Sequence, residues 1–287
     1  MGRRAAGARR CHRGGMAHPD GPAGVFDRVA DTYDAVGVPW FGPIAAGLVD
    51  ELAVRPGERV LDIGCGRGAA LRPLALATGA AGRAVGIDLA PRMVELAARD
   101  LADLPQVDVR VGDARAPDVP YASFDVVCAS LVLFFMPDPA DALARWAALL
   151  APGGRLGVST FGPQDERWRR VDDLFLPYLP PAMLDARTSG RGGPFASDEG
   201  VEHLFAGAGL DDVRTVGRTV EAVFRDADHL VEFSWSHGQR AMWEAVPPGE
   251  RDDLRARIVD LAASITTASG RLALGQQVRY TLGASPR

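Results

Sequence analysis

One glycine-rich run constrains this chain more than any other feature: Val60-Leu61-Asp62-Ile63-Gly64-Cys65-Gly66-Arg67-Gly68. It joins an apolar stretch that ends in an acid to three alternating glycines, a pattern typical of a strand that turns sharply into a helix. Glycine also lets a ligand approach main-chain N–H groups that any Cβ would block. The following helix, predicted over residues 69–78, would begin beneath that ligand. The run therefore predicts an α/β domain that binds a nucleotide-like cofactor.

The glycine run does not by itself specify the cofactor. Gly64, Gly66 and Ala69 also satisfy the G-x-G-x-x-G/A pattern of dinucleotide-binding oxidoreductases. Asp62 has a simpler interpretation as well, in which it caps the helix that follows the loop. The strand ends farther along the chain have to decide between these alternatives.

Two further apolar strands end in carboxylates. Residues 83–88 end in Asp88, whose distance from the glycine loop suits a carboxylate that accepts both ribose hydroxyls. Residues 107–113 form the next strand and end in Asp113. Strands that alternate with helical stretches predict a parallel α/β sheet. Both carboxylates are therefore expected at its ligand-binding edge.

The fourth and fifth strands complete this pattern. Residues 124–130 form an apolar strand that ends in Ser130, and the turn Pro152-Gly153-Gly154 opens a fifth strand over residues 155–160. Ligands of such sheets bind outside the carboxyl ends of the strands. Ser130 is accordingly expected close to Asp88 and Asp113.

At these positions the chain resembles the class I S-adenosylmethionine-dependent methyltransferases, and within them the small-molecule group that includes the ubiquinone and menaquinone C-methyltransferases. The resemblance covers residues 25–161. The matching segments, in order, are Phe26-Asp27-Arg28-Val29-Ala30-Asp31-Thr32-Tyr33-Asp34, residues 62–68, Gly86-Ile87-Asp88, Gly112-Asp113-Ala114, Ser123-Phe124-Asp125 and Pro152-Gly153-Gly154. A dinucleotide dehydrogenase shares the glycine loop and Asp88, but it has no reason to carry the first segment or Gly112-Asp113-Ala114.

The resemblance implies a fold class. This is an α/β, doubly wound, mostly parallel seven-stranded sheet of the Rossmann-like type, with N-terminal helices over residues 23–55 and a helical insertion before the last strand. A flexible Arg-rich arm is predicted over residues 1–22 and the methyltransferase domain over residues 23–287, with helical cap segments at 162–195 and 226–270.

The resemblance also implies S-adenosyl-L-methionine as the cofactor. Asp88 would bind the ribose hydroxyls, while Leu89 and Met93 would cover the adenine ring. Tyr33 would lie over the methionine end and Ser130 near the reactive methyl group. A cluster of carboxylates suits a ligand that carries a sulfonium cation. The complete implied set is Tyr33, Asp62, Gly64, Cys65, Gly66, Gly68, Asp88, Leu89, Met93, Gly112, Asp113, Ala114 and Ser130.

Composition narrows the chemistry. Cys11, Cys65 and Cys128 form no C-x-x-C pair and have no histidine cluster nearby, which argues against metal sites and disulfides and favours a reducing, cytoplasmic compartment. No lysine occurs, so Schiff-base chemistry on a lysine side chain is excluded. The net charge of -5 gives no general attraction to nucleic acid, and no apolar stretch is long enough to span a bilayer.

The second half departs from the quinone methyltransferases, which places their acceptor in doubt. The elements predicted there are a helix or helix pair at 165–184, a loop at 188–194, a helix at 198–208, a strand at 213–224, helices at 228–245 and 248–268, and a closing strand at 272–282. The two helices before the closing strand form the insertion.

Aromatic residues of the insertion permit two interpretations. Phe233, His237 and Ala241 follow at four-residue steps, so they would share one helical face that packs on the cap or on a second subunit. Alternatively, the insertion forms an aromatic lid that shields the methyl donor from water. The expected acceptor contacts are Tyr33, Trp40, Phe134, Phe135, Trp235, His237 and Trp243.

These features predict methyl transfer to a small, apolar metabolite, either a secondary metabolite or a quinone-like acceptor, on carbon or oxygen. An activated sulfonium methyl requires alignment more than a strong base. Tyr33 and His237 are the candidates for assisting proton transfer, and no catalytic base is assigned. Two alternatives stay open: an enzyme of this fold that binds the cofactor but catalyses a cyclisation or rearrangement, and an NAD(P)-dependent oxidoreductase.

Overall fold

A single seven-stranded sheet organises the protein. The computed structural model describes residues 22–181, 183–184, 192–267 and 270–287. Its strands are β1 (Arg59–Ile63), β2 (Arg83–Asp88), β3 (Val107–Val111), β4 (Phe124–Ser130), β5 (Leu150–Gln164), β6 (Asp211–Phe224) and β7 (Leu272–Ala284). Their order is β3-β2-β1-β4-β5-β7-β6. Strands β1 to β5 pair in parallel, whereas β7 pairs antiparallel with both β5 and β6. The predicted doubly wound, mostly parallel sheet is therefore confirmed.

Helices flank this sheet. They are α1 (Pro22–Val29), α2 (Phe41–Leu52), α3 (Leu71–Thr78), α4 (Pro91–Asp100), α5 (Pro139–Ala147), α6 (Glu166–Asp173), α7 (Asp198–Gly207), α8 (Ala227–Trp235), α9 (Arg240–Ala245) and α10 (Arg251–Ile265). Helix α3 packs on β1 and β2, α4 on β2 and β3, and α7 on β6 and β7. None of the helices in the described part of the chain is long and apolar enough to cross a membrane.

The centre of the sheet is covered on both faces, as parallel strands require. Val60, Leu61 and Ile63 of β1 are fully buried. On β5, a Cβ at Gly157 would lie 2.9 Å from Cδ2 of Leu52, so glycine allows helix α2 to approach the strand closely. This packing fixes the carboxyl ends of β1, β2 and β4, where the cleft lies.

Strand β5 is longer than predicted. It begins at Leu150, so Pro152-Gly153-Gly154 lies within the strand and does not open it as a separate turn. Gly153 has φ +72°, and the register with β4 shifts between Phe124 and Val126. This irregularity accommodates the proline and glycines without ending the strand.

The insertion before β7 is present, but its first helix is broken. The helix predicted over residues 228–245 is two helices, α8 and α9. The Ser236 hydroxyl and the His237 ring both bond to the carbonyl oxygen of Phe233, which ends α8. The predicted common helical face of Phe233, His237 and Ala241 is therefore wrong, because His237 lies between the helices.

Several predicted segments lie at the limits of the described residues. The Arg-rich arm at 1–22 lies outside them except for Pro22, the first residue of α1. The loop predicted at 188–194 lies outside them up to residue 191, and Gly193–Ala196 forms a short 3-10 helix. The helical stretch at 165–184 is α6 followed by a 3-10 turn at Leu176–Tyr178. The domain boundaries remain predictions.

Candidate active site

A two-lobed cleft lies at the carboxyl ends of β1, β2 and β4. The two lobes share the residues Tyr33, Gly64, Gly66, Ser130 and Leu131. The structure thus brings the glycine loop, the end of β4 and one tyrosine of the N-terminal segment to the junction between the lobes.

One lobe is mostly apolar and contains a single carboxylate. Asp88 lies at the end of β2, where a ligand in this lobe would meet it. The other residues that line this apolar lobe are Ala23, Phe26, Leu89, Met93, Gly112, Ala114, Val132, Phe135 and Met136. Apolar walls with one well-placed polar group are typical of a site for a flat, weakly polar ligand.

The other lobe is polar. Its lining includes the carboxylates Asp34, Asp62 and Asp100 together with Arg67 and Arg72. Cys65, Gly68 and Phe41 also line it. The two lobes differ in chemistry, so the cleft suits a ligand with an apolar end and a charged end.

Asp88 has a structural role besides its place in the lobe. Its Oδ2 accepts a hydrogen bond from the Gly66 N–H at 2.8 Å, and its Oδ1 accepts one from the Ala90 N–H at 2.9 Å. Burial raises the pKa of Asp88 above its usual range. The carboxylate therefore connects the glycine loop to the start of α4.

The loop N–H groups are used within the protein, contrary to the expectation that they would face a ligand. The Gly64 and Cys65 N–H groups donate to the Ile87 carbonyl, and the Gly68 N–H donates to the Cys65 carbonyl. Gly64 and Gly66 have φ +69° and +51°, and a Cβ at Gly66 would have no heavy atom within 4 Å. The glycines therefore supply left-handed backbone conformation, Gly66 also leaves open space, and the N–H groups of Gly64, Gly66 and Gly68 hold the loop together.

Asp62 is buried at the base of the polar lobe. Its Oδ1 accepts from the Cys128 thiol at 3.4 Å, whereas its Oδ2 has no hydrogen-bond partner among the described residues. Burial raises the pKa of Asp62 to about 7. The N-cap residue of α3 is Ala70, and no side chain caps this helix. Asp62 thus lines the polar lobe with a carboxylate whose Oδ2 is buried and unpaired among the described residues, and Cys128 lies in the core as expected.

The raised pKa of Asp62 predicts a pH effect on stability. In the folded protein the carboxyl keeps its proton up to about pH 7, whereas in the unfolded chain it loses it near pH 3.8. As the pH rises between these values, the folded state retains a proton that the unfolded state has lost, so the free energy of unfolding falls. Urea titrations across this interval should show a steeper fall for the natural protein than for Asp62→Asn. Parallel profiles for the two proteins would contradict the assignment.

Tyr33 lies at the junction of the lobes. Its ring stacks on Phe41 at a centroid distance of 4.2 Å and meets Phe26 edge-on at 6.1 Å. Burial raises the pKa of its phenol well above the usual range, and the nearby charges of Asp34 and Asp88 act in the same direction. The phenol therefore stays protonated at neutral pH and can donate a hydrogen bond.

Asp113 differs from its predicted place beside a ligand. Arg115 donates to both of its carboxylate oxygens, at distances from 2.6 to 3.0 Å. This hydrogen bonding holds the pKa of Asp113 below its usual range. Its neighbours Gly112 and Ala114 line the apolar lobe, but Asp113 is not among the lining residues.

The predicted acceptor contacts divide into two groups. Tyr33 and Phe135 line the cleft. Phe134 is buried behind Phe135, where it stacks on Phe161 at 5.4 Å. Trp40 is also buried and lies 4.9 Å from the Trp168 ring. Phe134 and Trp40 therefore belong to the core and do not line the cleft.

His237 lies behind the cleft wall. Its ring is 5.7 Å from Phe41, and its Nδ1 is 2.7 Å from the Phe233 carbonyl oxygen. A carbonyl can only accept, so Nδ1 carries the hydrogen and Nε2 is unprotonated in the neutral ring. Burial lowers the pKa of His237 to about 4. The histidine is neutral at pH 7 and contacts Phe41, which lines the polar lobe, but it does not line the cleft itself.

Trp235 and Trp243 pack away from the cleft, contrary to the lid interpretation. Trp243 is 1% exposed, meets Phe175 edge-on at 5.0 Å and donates from Nε1 to the Ser234 hydroxyl at 2.8 Å. Trp235 stacks on the outer side of Trp243 at 5.1 Å. Neither ring lines the cleft, because both pack among the inserted helices.

Sequence reasoning missed several residues of the cleft, among them Leu131, Asp34 and Arg67. Leu131 has φ +58° and Asp34 has φ +55°, a left-handed conformation that is rare for such residues. Arg67 pairs with Asp100 at 2.7 Å and donates to the Tyr33 carbonyl at 3.2 Å. The position of Arg67 inside the glycine loop was the one available signal; nothing local marks Leu131.

Comparisons with known proteins agree with this geometry. A family model described as a methyltransferase domain matches residues 61–158. The chain is 38% identical over 274 residues to the nocamycin O-methyltransferase of Saccharothrix syringae, an alignment that covers 90% of this chain and 96% of that protein. It is 41% identical over 162 residues to the aklanonic acid methyltransferase DauC of a Streptomyces strain, covering 56% and 74% of the two chains.

A solved structure shows the same fold at low sequence identity. The YcgJ protein of Bacillus subtilis has a TM-score of 0.55 and 16% identity, covering 85% of this chain and 99% of that one. At this identity the likeness concerns the fold alone. The relatives together favour methyl transfer over the nicotinamide chemistry that the glycine loop also permitted.

Proposed function

The chain belongs to the class I S-adenosylmethionine-dependent methyltransferases, and on that premise we propose that it methylates an oxygen atom of a small, apolar secondary metabolite. Methylation of a small metabolite follows from the family. The choice of oxygen rests on the relative from Saccharothrix syringae, which matches 90% of this chain and is named as an O-methyltransferase. Carbon remains the alternative acceptor atom.

The two-lobed cleft is the observation that carries this proposal. S-adenosyl-L-methionine has a flat adenine, a ribose diol and a charged amino-acid end beside a sulfonium. The apolar lobe with Asp88 suits the nucleoside, and the polar lobe with Asp34 and Asp62 suits the ammonium end. The unpaired, buried Oδ2 of Asp62 is the kind of acceptor that such a ligand would satisfy.

Within this proposal the cleft residues have separate tasks. Asp88 holds the ribose hydroxyls through charge-assisted hydrogen bonds, and Leu89, Met93 and Ala114 flank the adenine. Ser130 and Tyr33 lie where the lobes meet. The bound cofactor supplies a methyl group that is already activated by its sulfonium. The protein therefore has to align the acceptor and exclude water.

The apolar wall supports the proposed acceptor class. Phe26, Phe135 and Met136 line the cleft beside the junction of the lobes. They offer apolar contact to an acceptor, while the protonated phenol of Tyr33 can donate a hydrogen bond to the acceptor oxygen. His237 is retained as a candidate only for an indirect role, because its ring contacts Phe41 and does not itself line the cleft.

A methyl-transfer assay tests this function. The protein is incubated with S-adenosylmethionine and a panel of apolar phenols, enols and carboxylic acids, and the products are followed by mass spectrometry. We expect one acceptor class to gain one methyl group with equimolar release of S-adenosylhomocysteine. Asp88→Asn serves as the cofactor-deficient control.

Two outcomes would contradict the proposal. A product without an added methyl group would favour the cyclisation alternative, in which the cofactor is bound but not consumed. Calorimetry could also show that the protein binds a nicotinamide dinucleotide but not S-adenosylhomocysteine. That result would contradict the assignment of the cleft to the methyl-donor cofactor.

A further inference from the structure

One segment of the chain closes the cleft from above. The N-terminal strap, residues 22–36, comprises α1 and the turn that follows it. Ala23 and Phe26 of the strap line the apolar lobe, and Tyr33 and Asp34 line the polar lobe. A single segment therefore contributes to both lobes, so its position affects the whole cleft.

The strap is joined to the sheet side of the cleft mainly through α4. Val29 packs with Met93 in a small apolar cluster that is separate from the main core. The Asp27 carboxylate accepts from the Arg92 N–H at 2.9 Å, and Arg92 also pairs with Asp31 at 2.6 Å. A small cluster and partly exposed ion pairs make this attachment weaker than core packing.

The inserted helices hold the strap from the other side. Arg28 of α1 donates through two nitrogens to the Glu244 carboxylate of α9, at 3.1 and 2.6 Å. Arg240 donates to the same carboxylate at 2.8 Å. At the end of the strap, the buried His229 of α8 bonds through Nε2 to the Val36 carbonyl oxygen at 2.7 Å. The insertion is thus fastened to the strap at two points, Arg28 in α1 and Val36 at the end of the strap.

The insertion also lies directly behind a cleft residue. A Cβ placed at Gly238, between α8 and α9, would be 3.5 Å from Cζ of Phe26. Because Phe26 lines the apolar lobe, a shift of the insertion would be transmitted to the cleft through this ring. The aromatic residues of the insertion do not reach the cleft themselves.

We propose that Glu244 is a positioning residue for the cofactor cleft, which ties the N-terminal strap to the inserted helices through Arg28 and so keeps both lobes closed. The proposal rests on the assignment of the cleft to the methyl-donor cofactor. It gives the insertion a role as the outer anchor of the strap. Release of the product cofactor then requires this two-nitrogen contact to break.

Release kinetics test the role of Glu244. The full chain is immobilised and the dissociation rate of S-adenosylhomocysteine is measured by surface plasmon resonance for the natural protein, Glu244→Gln, Arg28→Gln and the double variant. Arg28 and Glu244 are about one-third exposed, at 36% and 31%, so we expect a modest, roughly two- to fivefold, faster release. In the double variant the dissociation rate should rise by less than the product of the two single increases, because both changes break the same contact.

A matched ion pair provides the control. Glu221 pairs with Arg271 at 2.8 Å on the sheet and does not contact the strap. Glu221→Gln should leave the release rate unchanged. At about 1 M salt, where the Debye length is only about 3 Å, the natural protein should approach the rate of Glu244→Gln.

The outcomes separate this proposal from the proposed function. If the natural protein does not bind S-adenosylhomocysteine, both the proposed function and the positioning role of Glu244 are overturned. Normal binding with equal release rates in the natural protein and Glu244→Gln would overturn only the positioning role. A faster release that is shared by Glu221→Gln, or that is insensitive to salt, would likewise reject it in favour of general destabilisation.

Discussion

Replacing Asp88 by asparagine should weaken the binding of S-adenosylhomocysteine by about 10- to 150-fold. Hydrogen bonds to a charged group contribute roughly 1.5–3 kcal/mol, which corresponds to this range of dissociation constants. The amide cannot supply the negative charge that two ribose hydroxyls would share. Isothermal titration calorimetry on the purified variant measures the change directly.

The same replacement should also lower the stability of the unliganded protein. A carboxylate that only binds ribose would leave the melting temperature nearly unchanged. In the structure, however, Asp88 accepts from both the Gly66 and Ala90 N–H groups. An amide offers one acceptor oxygen, so one of these N–H groups loses its partner at a cost of about 1–3 kcal/mol. Thermal unfolding without ligand distinguishes the two expectations.

Asp113→Asn is the matched control for Asp88. Both residues lie at strand ends on the same edge of the sheet, but the guanidinium of Arg115 already pairs with the charge of Asp113. We expect a much smaller loss of affinity from the Asp113 change. An equal loss in both variants would mean that the ribose is not held by Asp88 in particular.

The sequence predicted well those parts of the site that depend on residues close to one another in the chain. The glycine spacing and the acid at the end of β2 depend on backbone conformation within a few residues, so Gly64, Gly66 and Asp88 could be placed without a structure. The strand at residues 124–130 was predicted with its observed bounds because a buried parallel strand is apolar throughout. Ser130 was placed at the cleft because it ends this strand, and ligands of such sheets bind outside the carboxyl ends of the strands.

The remaining features depend on contacts between distant residues. Nothing near Trp243 in the sequence indicates that it packs against Phe175. The break between α8 and α9 depends on two side chains, those of Ser236 and His237, that bond to the carbonyl oxygen of Phe233. The spacing of apolar residues in the sequence does not predict such bonds. The N-terminal strap is anchored by a glutamate 216 positions away from its arginine partner. Such long-range pairs determine the acceptor side of the cleft, which is why the predictions were weakest there.

Replacing Trp243 by alanine should lower the free energy of unfolding by about 3–5 kcal/mol. The side chain is 1% exposed and packs between Phe175 and Trp235, so its removal leaves a large cavity. It also leaves the Ser234 hydroxyl without its indole donor. Chemical denaturation of the variant gives the loss of stability.

Trp235→Ala is the internal comparison, because Trp235 lies on the outer side of the same stack. Trp235 is half-buried, and the guanidinium groups of Arg240 and Arg251 lie over its ring at 5.9 and 5.8 Å. Loss of this ring should cost less, on the order of 1–2 kcal/mol, from stacking and cation–π contacts. In both variants the fraction that stays folded should lose far less affinity for S-adenosylhomocysteine than Asp88→Asn does, since neither ring lines the cleft. Normal stability with a selective loss of acceptor turnover in either variant would restore the aromatic-lid interpretation, because only a ring that reaches the acceptor could produce that combination.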